Sequence, residues 1–194
     1  AGLSTKAIKN RIKSMQSTRQ ITKAMELVAA SKLRSAQAKA ISSRPYFQTL
    51  YAAMDEIADT NNDFSSPYLH ANPDGKPVYV VIAGDRGLAG GYNNNILKLV
   101  YTNFVSMLSQ TPSTLDLLPL RVSTEKRKTQ NAILYEPGSE AVFNAIVPEY
   151  LGGVLYGALC ESTASEQAAR RTAMDSATKN ADEIIDDLNL RYNR

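Results

Sequence analysis

Apolar side chains recur at steps of three and four along the first 57 residues, the spacing of one narrow face of a helix. Neither proline nor glycine occurs from residue 4 to residue 44, and Ser4 is suited to cap the helix start. A stripe this long and narrow is typical of a coiled-coil seam. Its rhythm shifts between Met15 and Ile21 and again near Val28, which predicts a seam without one regular supercoil. The stripe comprises Ile8, Ile12, Met15, Ile21, Met25, Val28, Ala29, Leu33, Ala36, Ala40, Phe47, Leu50, Met54 and Ile57.

The other end of the chain carries a similar stripe. Pro148 suits the first turn of a helix, and no proline follows it. Two long seam-bearing helices in one chain most simply pair antiparallel, so we predict a rod built from residues 1–60 and 138–194. The second stripe comprises Leu151, Leu155, Ala158, Met174, Ala177, Ala181, Ile184 and Leu188.

The residues between these helices follow a different sequence pattern. Turn signals lead into a β-branched run at 78–83, which predicts a buried strand. A glycine-rich loop at 84–91 and a helix-like segment around Ile96 follow. Strand, glycine loop and helix open an α/β unit, so we predict a small α/β domain over residues 76–137. Its later strands cannot be found, so the domain is incomplete in this chain.

Charge is distributed unevenly. The chain carries a net charge of +3, yet residues 1–44 contain ten Lys or Arg and one acid, Glu26. The first segment is therefore +9 and the rest of the chain −6. A single-sign helix indicates an acidic partner surface or nucleic acid, and we favour the acidic partner. No run approaches the ~18 apolar residues that span a bilayer, so we expect any membrane link to run through a partner.

Few residues could carry chemistry. One histidine, His70, and one cysteine, Cys160, leave no disulfide framework and no His- or Cys-based metal cluster, and Cys160 is expected to be a packed side chain. The glycine loop matches neither common nucleotide motif, although amides at a helix start could still bind an anion. Carboxylates stack one turn apart at 182–187, where a solvated helix face is favoured over a metal or acid pair. We predict no catalytic residue, no cofactor and no metal.

Three stretches in this order resemble the gamma subunit of F-type ATP synthases, in its bacterial form. The first covers residues 8–33 and includes Thr-Lys-Ala-Met-Glu at 22–26; the second is Asp-Arg-Gly-Leu-Ala-Gly-Gly-Tyr-Asn at 85–93. The third begins with Ser-Glu-Gln-Ala-Ala-Arg-Arg at 165–171 and continues to Tyr-Asn-Arg at 192–194. Together they extend over most of the chain.

The resemblance implies an antiparallel coiled coil standing inside a ring of three alpha and three beta subunits, with a Rossmann-like α/β domain near its membrane end. Its foot would touch the epsilon subunit and the proton-carrying membrane ring. Rotation of the asymmetric shaft would take the beta sites through different nucleotide affinities, with ATP, ADP and Mg held by partner subunits. The basic helix suits an acidic lever loop of the beta subunit. The resemblance also implies partner contacts at Lys23, Met25, Glu26, Glu166 and Arg170, with a packed core position left open for Met25.

Two departures from the family pattern stand out. The family continues beyond its Tyr-Asn-Arg, and the middle of its α/β domain is absent near residues 96–100. The bacterial character of residues 90–93 favours the cytoplasmic face of a bacterial inner membrane, and the paired cysteines of the chloroplast form are missing. Two alternatives from other classes are a helix-dimerised nucleotide-binding enzyme and a coiled-coil nucleic-acid-binding protein.

Overall fold

Two helices of more than fifty residues dominate the computed structural model, which describes residues 4–60, 65–96, 101–104, 110–122 and 134–193. Helix α1 spans Thr5–Thr60, and helix α3 spans Ser139–Tyr192. Between them lie a short 3₁₀ helix at Pro67–Leu69, helix α2 at Tyr92–Ile96, and strands β1 at Tyr101–Phe104 and β2 at Gln110–Ser113. As predicted, the Ser4 hydroxyl caps α1 by accepting from the Ala7 amide at 3.3 Å.

The two long helices pack antiparallel along most of their length, as predicted. Paired residues show the direction, because numbers rise along α1 while they fall along α3. Thr22 meets Thr178 near one end of the rod. Further along, Arg44 binds Glu161 at 2.8 Å, and the Tyr46 hydroxyl donates to Glu149 at 3.3 Å.

The seam of α1 keeps one register where two shifts had been predicted. Buried residues follow each other at steps of four and three from Thr22 through Glu26 and Ala29 to Leu33, with Ala36 and Ala40 continuing the series. The prediction that Ile21 and Val28 belong to the seam is wrong, since their exposed fractions are 58% and 56%. In a heptad repeat, helix geometry fixes which positions face the partner helix, and here the polar residues Thr22 and Glu26 occupy two of those positions. The hydrophobic stripe therefore leaves the seam for one stretch and lies on the outside of the rod.

On α3 the seam prediction is confirmed for Met174, Ala181 and Leu188, which are buried at steps of seven. It is wrong for Ile184, which is 42% exposed. After Met174 the next buried residue is Thr178, one position past the predicted Ala177, and the same offset one heptad later turns Ile184 outward. Helix α3 also begins at Ser139, well before Pro148. Proline inside a helix removes one backbone hydrogen bond. Burial of Phe143 and Val147, both 0% exposed, offsets that loss by fixing this first part of α3 in a core.

That core closes the end of the rod near the α1–α3 connection. Met54 and Ile57 from α1 pack against Phe143 and Val147 from α3, with Leu120 completing the cluster. The chain before α2 is tied in as well, because the Leu120 amide donates to the Tyr68 carbonyl at 2.8 Å. We call this end of the molecule the foot.

The predicted buried strand at 78–83 is wrong. These residues have no regular structure, and Val78 and Tyr79 are 87% and 74% exposed. A strand needs a neighbour to satisfy its ladder of hydrogen bonds, and no neighbour to this run occurs in the part of the chain that the structure describes. What is described of the α/β domain is therefore a fragment.

That fragment consists of α2 and an antiparallel β1–β2 pair in which Tyr101 lies opposite Ser113. We predicted a missing segment near residues 96–100, and of these residues 97–100 lie outside the described residues, as do 123–133.

Candidate functional site

A groove of about 950 Å³ runs along the rod where the glycine loop meets both long helices. Helix α1 supplies one wall, α3 the other, and the loop 85–88 closes one side. We call it the shaft groove. Its lining includes Met25, Val28, Lys32 and Lys39 from α1, Asp85, Arg86, Gly87 and Leu88 from the loop, and Tyr156, Leu159, Cys160, Thr163, Glu166, Gln167 and Arg170 from α3.

Large apolar side chains stand open to solvent around this groove. Leu88 is 61% exposed, Val28 is 56% exposed and Leu159 is 52% exposed, while Met25 is half-buried. Val28 and Met25 come from the part of the hydrophobic stripe that leaves the seam. A contiguous exposed apolar patch marks an interaction surface on a soluble protein.

The rim of the groove is basic. Lys32, Lys39 and Arg86 are all exposed lining residues, with Asp85 as the one exposed acid among the lining residues. The rim extends the positive charge of residues 1–44 to the loop. Apolar contacts surrounded by cations fit a partner element that is amphipathic and acidic.

The glycine loop is held against α3 by Arg170. Its Nη2 donates to the carbonyl oxygens of Arg86 at 3.0 Å and Gly87 at 3.2 Å, and Nε adds a longer bond to Gly87 at 3.4 Å. The same guanidinium forms a close ion pair with Glu166, one turn earlier on α3. Both side chains are only 11% exposed. Charge-assisted bonds in such a sheltered place are stronger than those on an open surface.

Two further anchors fix the chain on either side of the loop. The Asn93 side chain accepts from the Gly84 amide at 2.9 Å and donates to the Gly84 carbonyl at 3.2 Å. The Tyr92 hydroxyl lies 2.7 Å from the Ser162 hydroxyl, and both are buried. Gly84 is required here, because a Cβ would come within 2.9 Å of the Glu166 side chain. Loop and helix thus form one surface.

The five predicted contact residues fall into two groups. Lys23 is exposed and forms an ion pair at 2.9 Å with Glu26, and Met25 lines the groove. Met25 lies outside the run of buried seam residues. Glu26 is buried at a seam position, and Glu166 and Arg170 lie below the loop. Leu88, Val28, Tyr156 and Leu159 were missed, although the Asp85–Asn93 motif pointed to the first of them.

Other candidate chemistry receives structural explanations. In the glycine loop, the Gly84 amide bonds to Asn93, and the Arg86 and Gly87 carbonyls bond to Arg170. Cys160 is buried, as predicted, and its hydrogen bond with the Tyr156 hydroxyl raises the pKa of that tyrosine. Asp182 pairs with Arg19, and Asp187 with Arg191 at 3.0 Å. No group of three metal-ligating side chains occurs among the residues described.

The expectation that no stretch could span a bilayer is wrong by length and composition, because one window of eighteen residues within α3 is long and apolar enough. Most of that window is unburied. The helix holding that window packs on α1 and carries Glu161, which binds Arg44. Tyr156 and Leu159 border the shaft groove and are half-exposed. Part of the exposed apolar surface of α3 therefore belongs to the shaft groove.

Comparison with known proteins gives consistent relatives. A family model described as ATP synthase matches residues 4–100 and 97–194. The chain is 35% identical to the ATP synthase gamma chain of Ruminococcus albus, over 97% of this chain and 91% of that protein. It is 34% identical to that of Alkaliphilus metalliredigens, over 100% and 92%. The gamma chain of Acetobacterium woodii, named sodium ion specific, is 32% identical over 96% and 91%.

The same comparisons locate a gap in the middle of the chain. The alignment with the Ruminococcus albus protein is 261 positions long and this chain has 194 residues, so at least 67 positions have no counterpart here. The two family matches meet at residues 97–100, the place where the sequence predicted a missing part of the α/β domain.

Proposed function

The chain belongs to the family of ATP synthase gamma chains, and we propose that its shaft groove is where the rotor meets the catalytic ring. The rotor-shaft role follows from the family. Association with the alpha and beta subunits, and peripheral attachment to the membrane through the complex, follow as well. The finer proposal concerns the surface that transmits force between shaft and ring.

The observation that carries the proposal is the apolar stripe on the outside of the rod. Ile21 and Val28 have helical spacing and hydrophobic side chains, yet the seam excludes them. Exposed apolar groups gain free energy only when a partner covers them, by about 25 cal/mol for each Å² removed from water. Met25 and Val28 of this stripe line the groove, and Leu88 of the glycine loop lines it as well.

The positive charge of the first helix suits a contact that slides as the shaft rotates. Attraction between a basic helix and an acidic lever loop changes gently with angle, because Coulomb energy falls only as the inverse of distance. Apolar contacts would add a short-range attraction at particular rotation angles of the shaft. We therefore propose that Lys23 and Met25 touch the beta subunit directly, while Glu26, Glu166 and Arg170 support that surface.

We further propose that the chain has no catalytic residue and binds no cofactor, since nucleotide and Mg chemistry would belong to the partner subunits. The foot is the surface proposed to face the epsilon subunit and the proton-carrying membrane ring. The complex is proposed to lie at the cytoplasmic face of a bacterial inner membrane. No observation favours either alternative function, the nucleotide-binding enzyme or the nucleic-acid binder.

The first test is recovery of the tagged chain from its native membranes, followed by mass spectrometry and an ATPase assay. Co-elution of alpha, beta and epsilon subunits with ATPase activity is the expected result. Recovery of the chain alone, or with nucleic acid, would contradict the proposal.

A second test addresses the predicted contact at Lys23 within the assembled complex. Lys23→Gln removes an exposed charge beside Met25, and Lys76→Gln removes one from an exposed loop residue outside the groove. We expect the first variant to lower ATP-driven ion pumping relative to ATP hydrolysis, and the second to leave that ratio unchanged. Equal ratios for both variants would remove Lys23 from the contact.

A further inference from the structure

We propose that Arg170 is a positioning residue, which holds the glycine loop on α3 so that Leu88 faces the partner. This inference rests on the proposed function of the shaft groove and deepens it. The sequence motif containing Arg170 suggested a direct contact with the catalytic subunits. The geometry points to a role inside the chain instead.

The guanidinium is already committed to groups of this chain. It bonds the carbonyl oxygens of Arg86 and Gly87 and the Glu166 carboxylate, and its side chain is 11% exposed. Arginine carries five N–H donors in a rigid fork, which suits two adjacent carbonyls and a carboxylate together. A partner reaching for this charge would first have to displace the loop.

The residue following these two carbonyls adopts an uncommon backbone shape. Leu88 has a φ of 64°, in the left-handed region that a leucine seldom enters. Such a conformation persists only where its surroundings impose it, and here the clamp on the two preceding carbonyls does so. The result is an apolar side chain, 61% exposed, standing at the side of the groove.

Glu166 of α3 also holds the glycine loop in place. Its side chain lies against Gly84, where a Cβ would come within 2.9 Å, and its carboxylate fixes the direction of Arg170. The loop is therefore clamped at its start by packing and at its middle by hydrogen bonds. A change at Gly84 should disturb the loop even with Arg170 intact.

The test uses the assembled ATP synthase carrying Arg170→Lys, Arg170→Gln, Leu88→Ala and the double variant R170Q/L88A. Arg191→Gln is the matched control, because Arg191 forms the same one-turn ion pair on α3, at 3.0 Å, outside the groove. Lysine retains the charge but not the fork. We therefore expect both Arg170 variants to lower coupled ion pumping by about ten- to hundredfold, the size of effect that loss of a charged hydrogen bond gives.

The double variant distinguishes a positioning role of Arg170 from a direct contact between Arg170 and the catalytic subunits. If Arg170 acts only through the loop, R170Q/L88A pumps within about twofold of the weaker single variant, because the second change removes nothing further. Multiplied effects, or full pumping by L88A alone, would overturn the inference. Failure of the unaltered chain to co-purify with the catalytic subunits would instead overturn the proposed function.

A direct readout of the loop separates positioning from general damage. Trypsin cleaves after arginine, and the Arg86–Gly87 bond is protected while Arg170 holds both carbonyls. We expect cleavage after Arg86 to be about tenfold faster in R170Q than in wild type or R191Q, because a released loop opens locally. Gly84→Ala should accelerate it too, and Gly87→Ala, which has open space for a Cβ, should not. Unchanged cleavage in R170Q would overturn the proposal, even where pumping falls.

Discussion

The hydroxyl oxygens of Thr22 and Thr178 lie 2.7 Å apart inside the seam, joining α1 to α3 across 156 positions of sequence. Each hydroxyl also lies within hydrogen-bond distance of a carbonyl of its own helix, Thr22 of the Arg19 carbonyl at 3.1 Å and Thr178 of the Met174 carbonyl at 2.9 Å. Because a hydroxyl has one proton, one threonine donates across the seam while the other donates to its own helix. A polar pair at a buried heptad position favours one register over its neighbours, since any slip would leave both hydroxyls facing apolar groups.

A double-mutant cycle at this pair has a definite expected outcome. Thr22→Val or Thr178→Val alone should lower the free energy of unfolding by about 1 kcal/mol, because the remaining hydroxyl loses its partner across the seam and keeps only the carbonyl of its own helix. The double variant should lose less than the sum, since two valines of similar shape pack together without an unpaired group. Thermal unfolding of the purified chain measures all three. Additive losses would mean that the two hydroxyls do not interact.

Ser165 offers a stabilising change. It is 0% exposed, and its hydroxyl has no hydrogen-bond partner among the described residues. Because an unpaired buried hydroxyl costs about 1–3 kcal/mol, Ser165→Ala should raise the melting temperature by several degrees. Ser162→Ala is the control on the same helix, and it should lower the melting temperature by removing one hydrogen-bond partner of the Tyr92 hydroxyl, which keeps the Ser162 carbonyl at 2.9 Å. A lower melting temperature in S165A would contradict this account of the seam.

The effect of a Gly→Ala substitution on α3 should depend on the space beside that glycine. A Cβ at Gly157 would lie 3.1 Å from the Phe47 ring, whereas one at Gly152 would meet open space. Gly157→Ala should therefore destabilise the chain by about 1–3 kcal/mol through overpacking. Gly152→Ala should stabilise it by about 0.5–1 kcal/mol, since alanine favours a helix more than glycine does. Denaturant unfolding compares them, and equal effects would show that Phe47 does not press on α3.

The Asp175–Lys179 pair predicts a pH effect with a fixed sign. A hydrogen bond from Lys179 holds the pKa of the Asp175 carboxyl below its usual 3.8, and the same bond raises the pKa of Lys179 above 10.5. A lowered carboxyl pKa contributes stability that is present above pH 3.8 and is lost as pH falls through the folded pKa. NMR titration of Asp175 should show the low pKa in the wild-type chain and a higher value in Lys179→Gln. An unshifted pKa in wild type would exclude the pair in solution.

Sequence reasoning predicted much of the rod and little of the groove. Helix existence, the antiparallel pairing and the buried positions Leu33 and Ala36 follow from periodicity, because backbone geometry repeats in a helix. The seam at Thr22 and Glu26 could not be predicted, since periodicity read from apolar residues skips polar ones at heptad positions. The hydrogen bonds from Arg170 to the loop could not be predicted either, because they join residues more than eighty positions apart.

By itself, the sequence determined that two long helices form a rod, that its first part is basic, and that the middle domain is incomplete. These properties depend on local composition and spacing. The tertiary structure alone decided which side of α1 faces α3, because only packing against α3 selects between the stripe at Ile21 and Val28 and the polar seam beside it. It also decided that Arg170 turns inward while Leu88 turns outward, since the two carbonyls that bind the guanidinium come from a distant loop.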